Sequence, residues 1–156
     1  MHPATHAKTE PDRVAYVMAG SGEQVTYGEL DARSNQTAQL FRSLGLKVGD
    51  VIAIFMENNA RYLEIAWAAQ RAGLYYTCIS SKLTAGEVEY IVRDCGAQVL
   101  ISSPAVGPVF DELPARLEGV KLYAVGGAKG AYAGYEAARD AMPAEPIADQ
   151  TAGSDM

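Results

Sequence analysis

The 156-residue chain has few of the side chains from which catalytic and metal sites are usually built. Its only histidines, His2 and His6, lie close to the N-terminus, so a Ser-His-Asp or Cys-His mechanism has no positioned imidazole base elsewhere. Their spacing of four could bind a metal weakly on a helix, but a solvated tail is the simpler interpretation. The only cysteines, Cys78 and Cys95, lack metal or redox spacing, and we expect buried free thiols in a reducing compartment.

The sequence also lacks a basic block and a long apolar run. The formal net charge of -6 argues against a nucleic-acid-binding surface. No apolar run approaches the roughly 20 residues that a membrane span needs, and no signal-peptide pattern is present. With 49% hydrophobic and 21% charged residues, the composition is globular. We therefore expect a cytoplasmic protein without a transmembrane segment.

Strands and helices alternate regularly between residues 51 and 102. Residues 51–56, 75–79 and 98–101 are typical of strands, and the first run is apolar throughout, which favours a strand covered on both faces. A helix is predicted over residues 60–72, with Asn58 or Asn59 as its N-cap. A second helix lies between Thr84 and Gly96. This β-α-β-α-β order predicts parallel strands with right-handed crossovers.

Two helix starts carry the signature of a capping box, in which Thr and a Glu three residues later bind each other's backbone amides. The pairs are Thr26 with Glu29 and Thr84 with Glu87. The first box follows a predicted β-hairpin over residues 14–25 and opens a helix that continues to Gly45. The fold class predicted is therefore α/β, a β-hairpin plus a mostly parallel sheet with flanking helices.

The C-terminal part predicts fewer regular elements. A helix starts at Ser103-Pro104 and is shortened or kinked by Pro108 and Pro114. A fourth parallel strand is predicted over residues 121–125, and a short helix follows that ends at Pro143. We divide the chain into a polar segment with one short helix (1–13), an α/β domain (14–142) and a polar tail without periodicity (143–156).

Three loops are candidate ligand sites. Gly20-Ser21-Gly22 is followed by a strand, whereas a dinucleotide fingerprint needs a helix, so a hairpin turn is expected. The glycine-rich stretch 126–130 lacks the Ser or Thr of a phosphate loop and is expected to be a surface loop. Ser80, Ser81 and Lys82 follow the carboxyl end of a strand, where open α/β sheets bind ligands, but they also suit the turn before a helix.

The remaining acidic candidates, Asp94, Asp111 and Glu112, are interpreted as solvated charges. No catalytic, cofactor-binding or metal-binding residue is assigned from the sequence.

The order of short motifs resembles that of the adenylate-forming superfamily, which includes acyl-CoA synthetases, peptide-synthetase adenylation domains and luciferases. Residues 26–30 resemble its Thr/Ser-Tyr-x-x-Leu motif, and residues 46–54, with Asn58 after them, resemble its G-(L/V)-x-x-G-D-x-V-A-I segment. Residues 72–76 resemble a core motif that the family continues with proline where this chain has Cys78. Residues 83–101 resemble a further segment, L-(T/S)-x-x-E-x-x-Y followed by an Asp and an apolar strand. Each motif is weak alone, but the ordered series is specific.

The resemblance implies an N-terminal fragment of an acyl-CoA synthetase, closest in character to fatty-acyl-CoA ligases. The whole enzyme would bind a carboxylic acid, ATP with Mg²⁺, and CoA. In that family the phosphate loop, the magnesium ligand and the catalytic lysine lie downstream of residue 156, so the fragment alone is expected to be inactive. Residues 151–156 resemble the lead-in to the phosphate loop. An incomplete sheet would also expose apolar surface and favour self-association.

Two other interpretations stay open at this stage. The β/α alternation alone also permits a complete small binding module, flavodoxin-like in outline. The chain could instead be a stand-alone interaction protein derived from a synthetase lobe.

Overall fold

A five-stranded parallel sheet with helices on both faces forms the centre of the structure, a computed structural model that describes residues 3–153. A two-stranded antiparallel hairpin precedes it, formed by β1 (Val14–Val17) and β2 (Gln24–Thr26). The sheet strands are β3 (Val51–Phe55), β4 (Tyr75–Ile79), β5 (Val99–Ser102), β6 (Lys121–Ala124) and β7 (Ala133–Gly134). The helices are α1 (Pro3–Thr9), α2 (Tyr27–Ser43), α3 (Tyr62–Arg71), α4 (Ala85–Asp94), α5 (Val109–Arg116) and α6 (Tyr135–Asp140). The predicted α/β class is confirmed.

The strand order across the sheet is β4-β3-β5-β6-β7, and each neighbouring pair is parallel. The register aligns Val51 with Tyr75 and Ile52 with Val99. Strands β3 to β6 were predicted, β3 from its apolar run and β4 from its β-forming residues. The two-residue β7 was not, because so short a strand leaves no pattern in the sequence.

The central strand β3 is covered by apolar side chains on both faces. Ile52 and Ile54 pack into one core with residues of α2 and α3. Ala53 and Phe55 pack into a second core with residues of α4 and α5. All four side chains are fully buried, and burying one large apolar side chain stabilises the fold by roughly 1.5–3 kcal/mol. The expectation of a strand covered on both faces is confirmed for β3.

Both predicted capping boxes are formed. Thr26 Oγ1 accepts the Glu29 N–H at 3.2 Å, and the Glu29 carboxylate accepts the Thr26 N–H at 2.9 Å. Thr84 and Glu87 repeat this exchange at 3.4 and 2.8 Å. The backbone donors that a helix start leaves without intrahelical partners are therefore partly satisfied by side chains, as the sequence indicates.

The predicted N-cap of α3 is wrong. The helix begins at Tyr62, and Arg61 at its N-cap position makes no side-chain cap. The Asn59 side-chain oxygen accepts the Arg61 N–H at 2.9 Å, so Asn59 closes the turn before the helix. Asn and Asp commonly bind a backbone amide two residues ahead, and this local turn displaces the predicted cap.

The predicted helix after Ser103 is divided in two. Ser103 caps a single 3₁₀ turn, Pro104–Val106, by accepting the Ala105 N–H at 3.2 Å. Gly107 then takes a φ of +79°, and α5 begins after Pro108. The left-handed conformation, which glycine adopts without strain, separates the two helical segments.

Residues 141–153, the strap, cross the outside of α2 and α3. Gln39 Nε2 donates to the Glu145 carbonyl at 2.9 Å, and Arg42 binds the Asp149 carboxylate at 2.9 Å. Farther along, Thr151 N–H donates to the Arg71 carbonyl at 2.9 Å. Ile147 is buried in the core formed by α2 and α3. The described part of the predicted polar tail is therefore anchored to the helices.

No helix within residues 3–153 combines the length and the apolar character that crossing a membrane requires.

Candidate functional site

The carboxyl ends of β3 and β5 form the position at which this topology favours ligand binding. After β3, the next strand in the chain, β4, lies beside β3 at the edge of the sheet. The strand after that, β5, lies on the opposite side of β3. Open α/β sheets bind ligands outside the carboxyl ends of the strands at such a switch point. The residues that follow these two strands are therefore the first candidates for a site.

Glu57 is the centre of a polar cluster at this switch point. Its Oε1 accepts hydrogen bonds from Ser103 Oγ at 3.2 Å and Asn59 Nδ2 at 3.0 Å. Its Oε2 is buried without a hydrogen-bond partner among the described residues, as is Oγ of Ser102. An unmade hydrogen bond at a buried polar atom costs about 1–3 kcal/mol. Glu57 can therefore accept one further N–H or O–H group.

An open groove of about 700 Å³ includes Asn59 and Asn58 in its lining, next to this cluster. Its other walls come from the end of β1, including Val17, from the hairpin turn that follows, and from the first residues of α3, including Leu63. None of the described residues that line it is charged at neutral pH. The groove is suited to binding an apolar group beside two amides, and it offers no acid–base pair for a reaction.

Tyr16 joins the hairpin to the segment before α3. Its hydroxyl donates to the Ala60 carbonyl at 2.6 Å. Burial raises the pKa of Tyr16 to about 12, and the nearby Glu64 carboxylate acts in the same direction. Tyr16 is therefore a neutral hydrogen-bond donor at physiological pH, and its role is to position the groove wall.

The three weak candidates Ser80, Ser81 and Lys82 form the turn between β4 and α4. The Lys82 N–H donates to Ser80 Oγ at 3.4 Å, and the Leu83 N–H donates to the Ser80 carbonyl at 3.2 Å. They lie one strand away from the switch point, at the end of the edge strand. The geometry is that of a turn leading into the Thr84 cap, and ligand binding by these residues stays a prediction.

The two glycine-rich loops form a hairpin turn and a loop after β6, and neither forms a phosphate-binding loop. Gly22, with a φ of +74°, closes the hairpin turn by donating to the Met18 carbonyl at 2.8 Å. In the loop after β6, the Gly126 N–H donates to the Glu136 carboxylate, at 3.2 and 3.1 Å to its two oxygens. Lys129 Nζ lies 5.4 Å from the centroid of the Phe110 ring. The Glu136 carboxylate thus already accepts the Gly126 N–H, which is therefore not free to bind a phosphate.

The histidines and cysteines do not assemble into a site. His2 lies outside the described residues, and the centroid of the His6 ring is 4.8 Å from the centroid of the Tyr27 ring. Both cysteines are free, but the prediction that they are buried is wrong: Cys78 is exposed and Cys95 is half-buried. Cys78 lies on β4, the edge strand, in which only Ile79 is buried. Among residues 3–153, no group of three or more His, Cys, Asp or Glu side chains could hold a metal ion.

The sequence interpretation missed two ion pairs on α3, one buried on both sides and one between buried Arg71 and the partly exposed Asp31. Glu64 Oε1 accepts from the Tyr135 hydroxyl at 2.9 Å and pairs with Arg139 of α6. Arg71 donates to Asn35 Oδ1 of α2 at 2.6 Å and pairs with Asp31. Burial raises the pKa of the Glu64 carboxyl, and the Arg139 guanidinium opposes that shift.

A sequence signal for these pairs existed. Glu64 and Arg71 are seven residues apart and flank Ala68, so all three share one face of α3. A charge on the apolar face of a helix must be paired when it is buried. These pairs tie α3 to α2 and α6, and their role is to hold the helical layer in place.

Comparison with known families identifies the class of protein to which this scaffold belongs. A family model described as "AMP-binding enzyme" matches residues 4–152. The chain therefore belongs to the AMP-binding enzyme family, and its predicted resemblance to adenylate-forming acyl-CoA synthetases is confirmed.

The curated relatives include proteins named as long-chain fatty acid transport proteins, as a long-chain-fatty-acid–CoA ligase and as a fatty acid–[acyl-carrier-protein] ligase. The chain is 37% identical over 92 residues to human long-chain fatty acid transport protein 1, covering 59% of this chain and 14% of that protein. It is 30% identical over 112 residues to the long-chain-fatty-acid–CoA ligase FadD13 of Mycobacterium tuberculosis, covering 72% of this chain and 22% of the ligase. The chain spans about 14–22% of the length of the curated relatives it matches.

Solved structures share the fold. The anthranilate CoA ligase AuaEII in complex with anthranoyl-AMP superposes with a TM-score of 0.82 at 19% identity, covering 94% of this chain and 28% of that one. The N-terminal domain of FACL13 from Mycobacterium tuberculosis gives a TM-score of 0.78 at 24% identity, covering 94% of this chain and 37% of that one. The chain thus has the fold of the N-terminal region of an adenylate-forming ligase.

Proposed function

We propose that this chain is the scaffold region of an ATP-dependent fatty acid–CoA ligase. The whole protein joins a fatty acid to ATP, releases pyrophosphate and transfers the acyl group from the adenylate to CoA. The observation that carries this proposal is the AMP-binding match over residues 4–152. Relatives named as a long-chain-fatty-acid–CoA ligase and as a fatty acid–[acyl-carrier-protein] ligase support the fatty acid as the substrate class.

The proposed cosubstrates are ATP with Mg²⁺, and CoA. The residues described do not fit the triphosphate or its cation. The Gly126 N–H already donates to the Glu136 carboxylate, and residues 3–153 contain no cluster of three or more His, Cys, Asp or Glu side chains that could hold a metal ion. No reaction step is therefore assigned to these residues. Their contribution is positional: two ion pairs and the strap fix α2, α3 and α6 against the parallel sheet.

Further parts of the proposal concern the cellular setting. We place the protein in the cytoplasm, with a carboxylic acid and CoA as its reaction partners. We also propose that the 156-residue chain by itself self-associates, because the five-residue edge strand β4 exposes two tyrosines, each at 42%.

The test is to read the source gene beyond the codon for Met156 and to express the longest in-frame product. We expect a Ser/Thr/Gly-rich phosphate loop, and a product that forms fatty-acyl-CoA and AMP from a fatty acid, ATP, Mg²⁺ and CoA. Aromatic acids serve as the comparison panel. A stop codon directly after Met156, or a longer protein inactive on every acid, would contradict the ligase proposal and favour a stand-alone binding or interaction module.

A further inference from the structure

The C-terminal end of α3 is the surface to which the last part of the strap is fixed. The carbonyls of a final helical turn lack intrahelical donors and need other partners. The Arg71 carbonyl accepts the Thr151 N–H at 2.9 Å, and the Ala72 carbonyl accepts Arg42 Nη2 at 2.7 Å. Arg42 also binds Asp149, so both carbonyls are bound by the strap or by a side chain attached to it. The strap therefore takes part in capping α3.

Residues 151–153, the latch, are held on α3 by side-chain hydrogen bonds as well. Thr151 Oγ1 accepts the Gly153 N–H at 2.8 Å and donates to the Gln70 carbonyl at 3.4 Å. Gln70 Nε2 donates to the Ala152 carbonyl at 2.7 Å. The Thr151 hydroxyl and the Gln70 side chain thus bind the latch to one residue of α3.

Two glycines allow the latch to pack closely. Gly73, which follows α3, has a φ of +64°, and a Cβ at this position would lie 3.2 Å from Thr151 Cγ2. Gly153 has a φ of +79°, and a Cβ there would lie 2.6 Å from Gln70 Cγ. Gln70 cannot move aside freely, because its amide is bound to Ala152. A side chain at position 153 would therefore displace the latch from α3.

We propose that Thr151 and Gly153 are positioning residues of the ligase, which fix on α3 the point from which the chain continues to its ATP-binding residues. This inference rests on the proposed function. Residues 3–153 do not fit the triphosphate or its cation, and they have the fold of the N-terminal region of an adenylate-forming ligase. In the longer protein the ATP-binding residues therefore follow the latch.

Releasing the latch should affect position more than folding. The bonds of Gln39 with Glu145 and of Arg42 with Asp149 hold the strap on α2 upstream of the latch, and they remain when the latch is displaced. The chain that follows the latch would then leave α3 from a different place. A displacement of about 1 Å far from the reacting atoms can lower a rate by roughly 100-fold. The latch thus connects the scaffold to the geometry of the reaction.

The primary experiment measures KM for ATP and kcat of fatty-acyl-CoA formation by the longest in-frame product. Gly153→Ala should raise KM for ATP by roughly fivefold or more. Gly107→Ala is the matched control, because Gly107 also has a φ of +79° but an added Cβ meets no atom within 4 Å. Both variants carry the same backbone strain, and only Gly153→Ala adds the contact with Gln70. Gly107→Ala should keep the wild-type KM.

The hydroxyl of Thr151 is tested by a conservative pair of variants. Thr151→Val keeps the shape and the backbone N–H but removes the hydroxyl, so it should also raise KM for ATP. Thr151→Ser keeps the hydroxyl and should restore the wild-type value. A purely structural role would lower the amount of folded enzyme and hence the apparent kcat, whereas KM does not depend on that amount. If Gly153→Ala does not fold, the Thr151 pair decides.

Hydrogen exchange of the 156-residue chain tests the latch without the reaction. Gly153→Ala should speed exchange of the Thr151 N–H roughly tenfold, and Gly107→Ala should leave it unchanged. Equal exchange in both variants would overturn the latch. An active longer product whose KM for ATP is unchanged by Gly153→Ala and by Thr151→Val would overturn the positioning role and leave the ligase proposal standing. A longer product inactive in its wild-type form would overturn the ligase proposal, and the positioning role with it.

Discussion

At the scale of single residues, Tyr132 compensates for a hydrogen bond that Pro114 removes from α5. Proline has no N–H, so the Phe110 carbonyl one turn earlier lacks its helical donor. The Tyr132 hydroxyl donates to that carbonyl at 2.8 Å, and its ring stacks on Phe110 with centroids 3.9 Å apart. Burial also raises the pKa of Tyr132, so the hydroxyl remains a donor. A residue outside α5 thus allows a proline inside it.

Replacing Tyr132 by Phe should destabilise the chain by about 1–3 kcal/mol, because the Phe110 carbonyl would be left buried without a donor. Tyr90→Phe makes the same chemical change at a side chain that is 68% exposed, and should change stability by less than about 0.5 kcal/mol. Urea unfolding of both variants measures the difference. Equal unfolding free energies would show that the Tyr132 bond contributes nothing.

The capping boxes give a second prediction at the residue scale. Thr84→Ala should cost about 1 kcal/mol of stability, because the Glu87 N–H loses its acceptor. Thr84→Ser keeps the hydroxyl and should cost much less. The denaturant midpoints of the two variants provide the measurement, and a midpoint unaffected by Thr84→Ala would mean that the cap does not form in solution.

At the scale of elements, the strap depends on side chains of α2. Arg42 binds Asp149 through Nε at 3.2 Å and Nη2 at 2.9 Å, and these hydrogen bonds lower the pKa of the Asp149 carboxyl. Because the folded-state pKa lies below the unfolded value, the pair stabilises the fold above the unfolded pKa. That stabilisation is lost as the pH falls through the folded pKa.

Asp149→Asn should therefore be slightly less stable than the wild type at pH 7, by less than about 1 kcal/mol because the Asp149 carboxylate is largely exposed. The difference should close as the pH falls below the ordinary carboxyl range. Asp94→Asn is the control, since exposed Asp94 makes no ion pair among the described residues. Urea midpoints measured from neutral to acidic pH test this, and a difference that persists unchanged in acid would exclude the Arg42–Asp149 pair as its cause.

The elements differ in how far they can be predicted from sequence. The capping boxes at Thr26 and Thr84 are local, so four residues contain all the information that forms them. Strand β3 is predicted because its burial on both faces requires apolar residues throughout. By contrast, β7 and the strap are formed by bonds between distant segments, such as Gln39 with Glu145, which leave no periodic pattern.

The candidate site was less predictable than the fold. The sequence correctly places Ser80–Lys82 at the carboxyl end of a strand, but the switch point lies between β3 and β5. Finding it requires the strand order, which local sequence patterns do not contain. The cluster of Glu57 with Ser103 joins residues 46 positions apart and could be found only in three dimensions. The predicted domain boundaries stay predictions.

At the scale of the whole molecule, one buried and one partly buried ion pair connect the helical layer over one face of the sheet. Glu64 pairs with Arg139 of α6, and Arg71 pairs with Asp31 of α2. Removing one partner of a buried pair usually costs about 3–5 kcal/mol, because the remaining charge is left unpaired. The helical layer is therefore held as a unit against the sheet.

The central claim is that this chain folds as a scaffold and does not catalyse acid activation. The most direct measurement is carboxylate-dependent ATP–pyrophosphate exchange by the purified 156-residue chain, over a panel of fatty and aromatic acids. The preparation must first show cooperative unfolding and be free of any longer ligase. We predict exchange no greater than in a blank without protein. Exchange above that blank that depends on the added acid would contradict the account.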